Sequence, residues 1–137
     1  MKQIKFRGLY EGQWVYGSYH YSADGKHHYI LASEKLLSHD GGYMSLHSKE
    51  VWEVDGKTVC QFTGLSDKLG KDIYDGDIVD KKFKWVVCFS DGAFYVKNEY
   101  AIAYLLSEVI RKRRVAGCPI EVIGNIYENP ELLNNGK

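Results

Sequence analysis

Four consecutive cations, Arg111, Lys112, Arg113 and Arg114, are the first residues of this chain whose types and spacing suggest chemistry. A second basic run, Lys81, Lys82 and Lys84, is set around Phe83 and Trp85. Lysine and arginine neutralise phosphates, and exposed rings give unpaired bases a surface for stacking. Basic residues interleaved with aromatics therefore suit a single-stranded nucleic acid. The plainer reading is a helix end, where positive charge complements the dipole, and a strand edge whose lysines discourage edge pairing. Lys plus Arg equals Asp plus Glu at 18 each. That balance counts against a general electrostatic coat for nucleic acid and leaves room for a local patch.

The other candidate groups read as structural. The five histidines are His20, His27, His28, His39 and His47. His27 and His28 are adjacent, so in a strand they point to opposite faces and cannot share one ion. His20 can meet one of them across a hairpin, but no third ligand is evident for a zinc site. Asp67, Asp72, Asp75 and Asp77 lack EF-hand spacing and a closing glutamate. Asp77, after Gly76, suits a hydrogen bond to the turn backbone. No nucleophile elbow or other catalytic signature occurs, and Gly64 to Gly70 lacks the Gly-Lys-Ser/Thr ending of a phosphate loop. The expectation is no catalytic residue, no metal and no cofactor.

These residues must be positioned by a chain of 137 residues, for which one domain spanning 1–137 is the default. Eleven Tyr, five Phe and three Trp favour strands. Ile4 to Leu9 reads as a strand, followed by a turn at Glu11-Gly12. Trp14 to Tyr21 alternates with aromatics on both faces. Asp24-Gly25 signals a hairpin to His27–Ala32. Residues 33–50, with Asp40-Gly41-Gly42 as tip, read as an irregular loop. Val51 to Val54 and Thr58 to Phe62 flank Asp55-Gly56, a second hairpin signal. Ile78-Val79 opens a strand, Trp85 to Phe89 follows, and Ser90-Asp91-Gly92 turns into Ala93 to Val96. Asn98 to Arg114 reads as the helix, with Asn98 as N-cap and an apolar face of Ala101, Ile102, Leu105, Leu106, Val109 and Ile110. Gly117 and Pro119 stop it, and Pro119 to Tyr127 closes the chain as a strand.

Cys60, Cys88 and Cys118 are odd in number and lack a Cys-x-x-Cys pair, which reads as reduced thiols. The N-terminus has no signal-like apolar region, and no apolar run approaches the ~18 residues of a membrane span. A soluble protein of the bacterial cytoplasm is expected.

Just before the basic run that starts at Lys81 lies Thr63-Gly64-Leu65-Ser66-Asp67-Lys68-Leu69-Gly70-Lys71-Asp72-Ile73-Tyr74-Asp75-Gly76-Asp77-Ile78-Val79. This stretch resembles the signature of the YopX family of phage and prophage proteins, roughly T-G-L-x-D-K-x-G-K-x-I-Y-x-G-D-I-V. Ile4 to Gly8, Val59 to Phe62 and Glu121 to Leu133 resemble its opening, the approach to its signature and its ending. Two departures are Leu69, where a turn-former such as Asn is usual, and Cys60, where glycine is common. The resemblance implies a small, mostly β protein encoded by a phage or prophage, and it implies no activity. The signature residues Thr63, Gly64, Leu65, Asp67, Gly70, Ile73, Tyr74, Gly76 and Asp77 read as architecture.

The expected fold is α+β, mainly antiparallel, with strands partly closed into a small barrel and one helix over residues 98–114. For function, the aromatic crowding of the first third points to a homo-oligomeric interaction module that binds a host or phage protein. Trp14, Tyr16, Tyr19, Tyr21 and Tyr29 are the candidate interface, since Tyr and Trp suit interface cores. The alternative is a nucleic-acid binder using Lys81, Lys82, Lys84, Trp85, Arg111, Lys112, Arg113 and Arg114. An enzyme ranks last.

Overall fold

A computed structural model describes residues 4–40 and 43–133, the backbone alone for 33–40 and 43–49. The chain groups into two compact units, residues 1–61 and 62–137.

The first unit is an antiparallel meander. β1 (Phe6–Tyr10) pairs with β2 (Gln13–Tyr21) from Phe6↔Gly17 to Tyr10↔Gln13, and Glu11-Gly12 forms the turn with positive φ at both residues. That is the backbone a two-residue hairpin needs to match strand twist. β3 (His28–Asp40) pairs with β2, and β4 (Tyr43–Val54) pairs with β3. Gly17 lets β3 approach: a Cβ there would lie 2.1 Å from the carbonyl oxygen of Leu31. Ile30, Val54 and Cys60 are buried, with the polar Arg7 and Thr58 among the buried residues.

Two local expectations change here. Asp55-Gly56 does not close a hairpin. Asp55 instead caps a 3-10 turn at Gly56–Thr58, its carboxylate accepting from the Lys57 N–H at 3.0 Å. The hydroxyl of Thr58 donates to the Asp55 carbonyl and accepts from the Leu9 N–H. The chain is thereby sent to β1, where Cys60 and Gln61 of β5 (Cys60–Ser66) pair with Arg7 and Phe6. Residues 33–40 and 43–50 are not an irregular loop. Their backbone extends the β3–β4 hairpin, with register shifts between Ala32 and Ser38. Strand pairing supplies long-range partners that local composition does not reveal. The Gly41-Gly42 tip and the side chains of His39, Tyr43 and His47 lie outside the described residues.

The second unit holds the rest of β5, which pairs with β6 (Asp72–Tyr74), and an open antiparallel sheet. That sheet runs β10 (Ala103–Leu105), β9 (Ala93–Lys97), β8 (Trp85–Ser90), β7 (Asp77–Val79), β11 (Val122–Asn125). Asp91-Gly92 makes the expected two-residue hairpin between β8 and β9, again with both φ positive. One helix, α1 (Leu106–Val115), packs Leu106 and Ile110 into a core with Ile73, Val79, Val87, Val96, Ile120 and Val122. The mainly antiparallel α+β class holds, but the sheets stay open and form no barrel.

The helix begins eight residues later than its apolar spacing predicts. Asn98 does not cap it: Asn98 Oδ1 accepts from the N–H groups of Tyr100 and Ile102, at 2.9 and 3.0 Å. Ala101 takes a left-handed φ of 62°, and Ala103 to Leu105 then pair with β9. An asparagine side chain that captures nearby N–H groups competes with helix nucleation, and strand pairing completes the diversion. Ala101, Ile102 and Leu105 are consequently exposed, and the buried stripe is shorter than expected.

Candidate nucleic-acid interface

The two basic runs are brought together by the turn between β7 and β8. Asp80 organises this turn with a left-handed φ of 75° and a nearly buried carboxylate. Its Oδ2 accepts from the Phe83 N–H at 2.8 Å, and its carbonyl accepts from the Lys84 N–H at 2.8 Å. Its own N–H donates to the Glu121 carbonyl. The remaining oxygen, Oδ1, receives Arg113 Nη2 of α1 at 2.7 Å.

Arg113 is held on several sides. Its Nε donates to the Cys118 carbonyl at 2.8 Å and lies 3.2 Å from Cys118 Sγ, and its guanidinium carbon stands 5.8 Å from the Trp85 ring centre. Burial works against its charge, but hydrogen bonds to Asp80 and Cys118 and the Asp80 charge outweigh that penalty and raise its pKa. Arg113 thus binds the basic end of the helix to the basic turn.

Phe83 and Trp85 stack nearly parallel, 5.0 Å between centroids and 10° between planes. Phe83 remains half-exposed, with Lys82 Nζ 5.3 Å from its ring centre. This pair borders two grooves. One, of about 660 Å³, is lined by Lys82, Lys84, Lys97, Asn98, Glu99 and Tyr100 beside the rings. The other, of about 640 Å³, is lined by Ala103, Tyr104, Leu105, Glu108, Lys112 and Arg113 beside the same rings. Tyr104 stands 6.3 Å from Trp85 between centroids. Tyr100 is 75 % exposed and Tyr104 47 %.

Among the sequence-derived candidates, Lys82, Lys84, Trp85, Lys112 and Arg113 therefore line this surface. Lys81 is exposed, with its Nζ 3.9 Å from Glu121. Arg111 holds Glu108 at 2.6 Å, a hydrogen bond that keeps the Glu108 carboxyl below its ordinary pKa. Arg114 borders a separate hollow of about 260 Å³ with Asp67, Ile110 and Ile120. Tyr100, Tyr104 and Lys97 were not singled out from sequence, and Asn98 was read only as a helix cap. Reading 98–114 as helix hid the two tyrosines, and the signal that could have found them is Asn98 before a segment with two tyrosines.

The signature residues form the frame. Asp67 Oδ1 accepts from Leu69 and Lys71 N–H groups, and Oδ2 from Val122, each at 2.9 Å. Asp77 Oδ2 accepts from the Tyr74 N–H at 2.8 Å across the Asp75-Gly76 turn. Thr63 Oγ1 accepts from the Leu65 N–H. Gly64, Gly70 and Gly76 have positive φ, and Ile73 is fully buried.

In the first unit, the Arg7 guanidinium lies 4.2 Å from the Trp14 ring centre. Tyr19 stacks on His28 and hydrogen-bonds its Nδ1 at 2.7 Å. Tyr29 is half-buried, while Tyr16 and Tyr21 are 47 % and 67 % exposed. His20 lies 3.1 Å from Ser18 Oγ, and His27 pairs with Glu53 at 2.7 Å. Among the described residues, no group of three or more His, Cys, Asp or Glu could hold a metal ion, and no helix is long and apolar enough to cross a membrane.

The family model described as YopX protein matches residues 5–134. The chain belongs to the YopX family. Among solved structures it is similar to one described as the crystal structure of protein EF1440 from Enterococcus faecalis. The two share 23 % identity, with a TM-score of 0.63, over 97 % of this chain and 99 % of that one. At that identity the likeness concerns the fold. No curated protein matches the chain.

Proposed function

We propose that this YopX family member is a nucleic-acid-binding protein acting through the grooves beside Phe83 and Trp85. The observation that carries the reading is the Asp80–Arg113 ion pair, which joins the basic turn to the basic helix end. Lysines from three elements, Lys82 and Lys84 of the turn, Lys97 of β9 and Lys112 of α1, border the grooves. Such a local patch answers a phosphate backbone despite the zero net charge. Phage or prophage origin, on the family resemblance, and action in the host cytoplasm belong to the same proposal.

The test is fluorescence anisotropy with a labelled oligonucleotide across a salt series. The expected result is binding that weakens steeply with salt and is lost when Lys82, Lys84 and Lys112 are changed to Glu. Arg113 is unsuited to charge reversal, because its removal would strand the Asp80 carboxylate. Binding indifferent to salt and to these lysines would sink the reading.

A second reading rests on Tyr16 and Tyr21, two large rings left exposed on β2. They favour a homo-oligomeric module engaging a host or phage protein through the first unit. Native mass spectrometry should then show a discrete multiple of 15.7 kDa. A monomer unchanged by Tyr16→Ser and Tyr21→Ser would remove this reading.

A further inference from the structure

We infer that the grooves select single-stranded over double-stranded nucleic acid, with unpaired bases stacking on Phe83 and Tyr104 while the backbone passes the lysines. The inference rests on the nucleic-acid reading and specifies its ligand. Phosphate attraction alone favours the denser charge of a duplex, so the rings must supply any preference for single strands. Phe83 is 51 % exposed and Tyr104 47 %. Phe83 borders both grooves and Tyr104 the second, rather than standing alone on the surface.

The Phe83 ring is braced by Trp85, whose plane it nearly matches. Trp85 is in turn flanked by Arg113 and Tyr104. A ring so supported is a rigid platform, and stacking on it loses little side-chain entropy. Lys82 stands within cation–π reach of the Phe83 ring. A base that stacks on that face of the ring displaces the ammonium, whose flexible stem lets it meet the nucleotide's phosphate instead. Lys84 and Lys97 continue the positive border of one groove, and Lys112 of the other. Because Phe83 and Trp85 border both grooves, one strand can run from one to the other across the platform. In a duplex the bases are already stacked on each other, and only their edges reach the grooves. The platform then finds no base face to receive.

The experiment compares an oligothymidylate of roughly 12 nucleotides, within the range one small binding surface covers, with a hairpin duplex of similar charge. Both are titrated by anisotropy at low salt against the unaltered protein, Phe83→Leu, Tyr104→Ala and Lys82→Gln. Phe83→Leu retains apolar bulk while removing the ring, and thermal melts verify that each variant is folded. Single strands should bind at least about tenfold more tightly than the duplex. Each ring variant should weaken single-strand binding about tenfold, the scale of one lost base stack, at an unchanged salt slope. Lys82→Gln should lower that slope by about one counterion. Equal affinity for both forms, or ring variants that bind single strands like the unaltered protein, overturns this inference and leaves the nucleic-acid reading standing. No binding to either form overturns both and returns the aromatic surface to a protein partner.

Discussion

The carboxylate of Asp67 accepts the backbone N–H of Val122, 55 residues further along, at 2.9 Å in a buried setting. The same carboxylate closes its own turn through Leu69 and Lys71. A signature aspartate thus fixes a local loop and anchors the closing strand, β11, beside it. Lys68 N–H adds a bond to the Ile120 carbonyl. This double role explains why a loop residue is held nearly inaccessible to water.

Replacing Asp67 with Ala removes the acceptor for three backbone donors. Each buried donor left without a partner costs about 1–3 kcal/mol. The expected loss is about 3 kcal/mol once partial rehydration of the turn is allowed, measured by urea denaturation. Asp67→Asn keeps one acceptor oxygen and should lose less. A change under about 0.5 kcal/mol for Asp67→Ala, the range of ordinary surface substitutions, would contradict the anchoring role.

The Asp80–Arg113 pair should show strong coupling. Arg113→Met leaves a nearly buried carboxylate without its cation, which typically costs about 3–5 kcal/mol for a buried pair. The side chain of Arg113 is 21 % exposed, so the lower end is expected. Adding Asp80→Asn should recover part of the loss, because the uncompensated charge is gone. A double-mutant cycle checks this, and simple additivity of the two changes would show that the residues act independently.

The start of α1 can be tested by two neighbouring leucines. Leu106 is fully buried and Leu105 is 39 % exposed. Leu106→Ala should cost about 2–5 kcal/mol and Leu105→Ala under about 1 kcal/mol. A helix beginning at Asn98 would place both on its apolar face and make the losses similar. Thermal melts of the two variants distinguish the cases.

His27 and Glu53 give a pH prediction. The hydrogen bond and charge of Glu53 raise the His27 pKa above its ordinary value of 6.5. Because the folded value is raised, the pair's stabilisation is fully present below the unfolded pKa and is lost as pH rises through the folded one. Both side chains are about half exposed, so the effect on stability is small and screened by salt. An NMR titration of the His27 ring should give a midpoint above 6.5, and Glu53→Gln should lower it. Identical midpoints in the two proteins would refute the pairing.

Much of the fold was legible in the residues themselves. Glu11-Gly12, Asp24-Gly25 and Asp91-Gly92 marked turns, because positive φ at a tight turn selects Gly and its polar neighbours, and that demand is local. Alternating β-prone runs between them determined the mainly antiparallel class, and the stretch Thr63 to Val79 determined the family. The two basic and aromatic runs were also visible as composition. Tertiary structure decided where elements begin and which chemistry-bearing residues meet. Asp55-Gly56 had the same local signal as the other turns, yet Thr58 and the pairing with β1 drew the chain elsewhere. Asn98 to Leu105 had helical periodicity, yet an edge of β9 was available to pair with it. Lys82 and Lys112 are 30 positions apart by number, and nothing in their neighbours predicts a shared surface. The bond between Asp80 and Arg113 unites them, and such a bond exists only when a buried carboxylate in one turn meets a guanidinium presented by another element. Local propensities cannot encode that meeting, because its stabilisation appears only after the sheet and helix have packed.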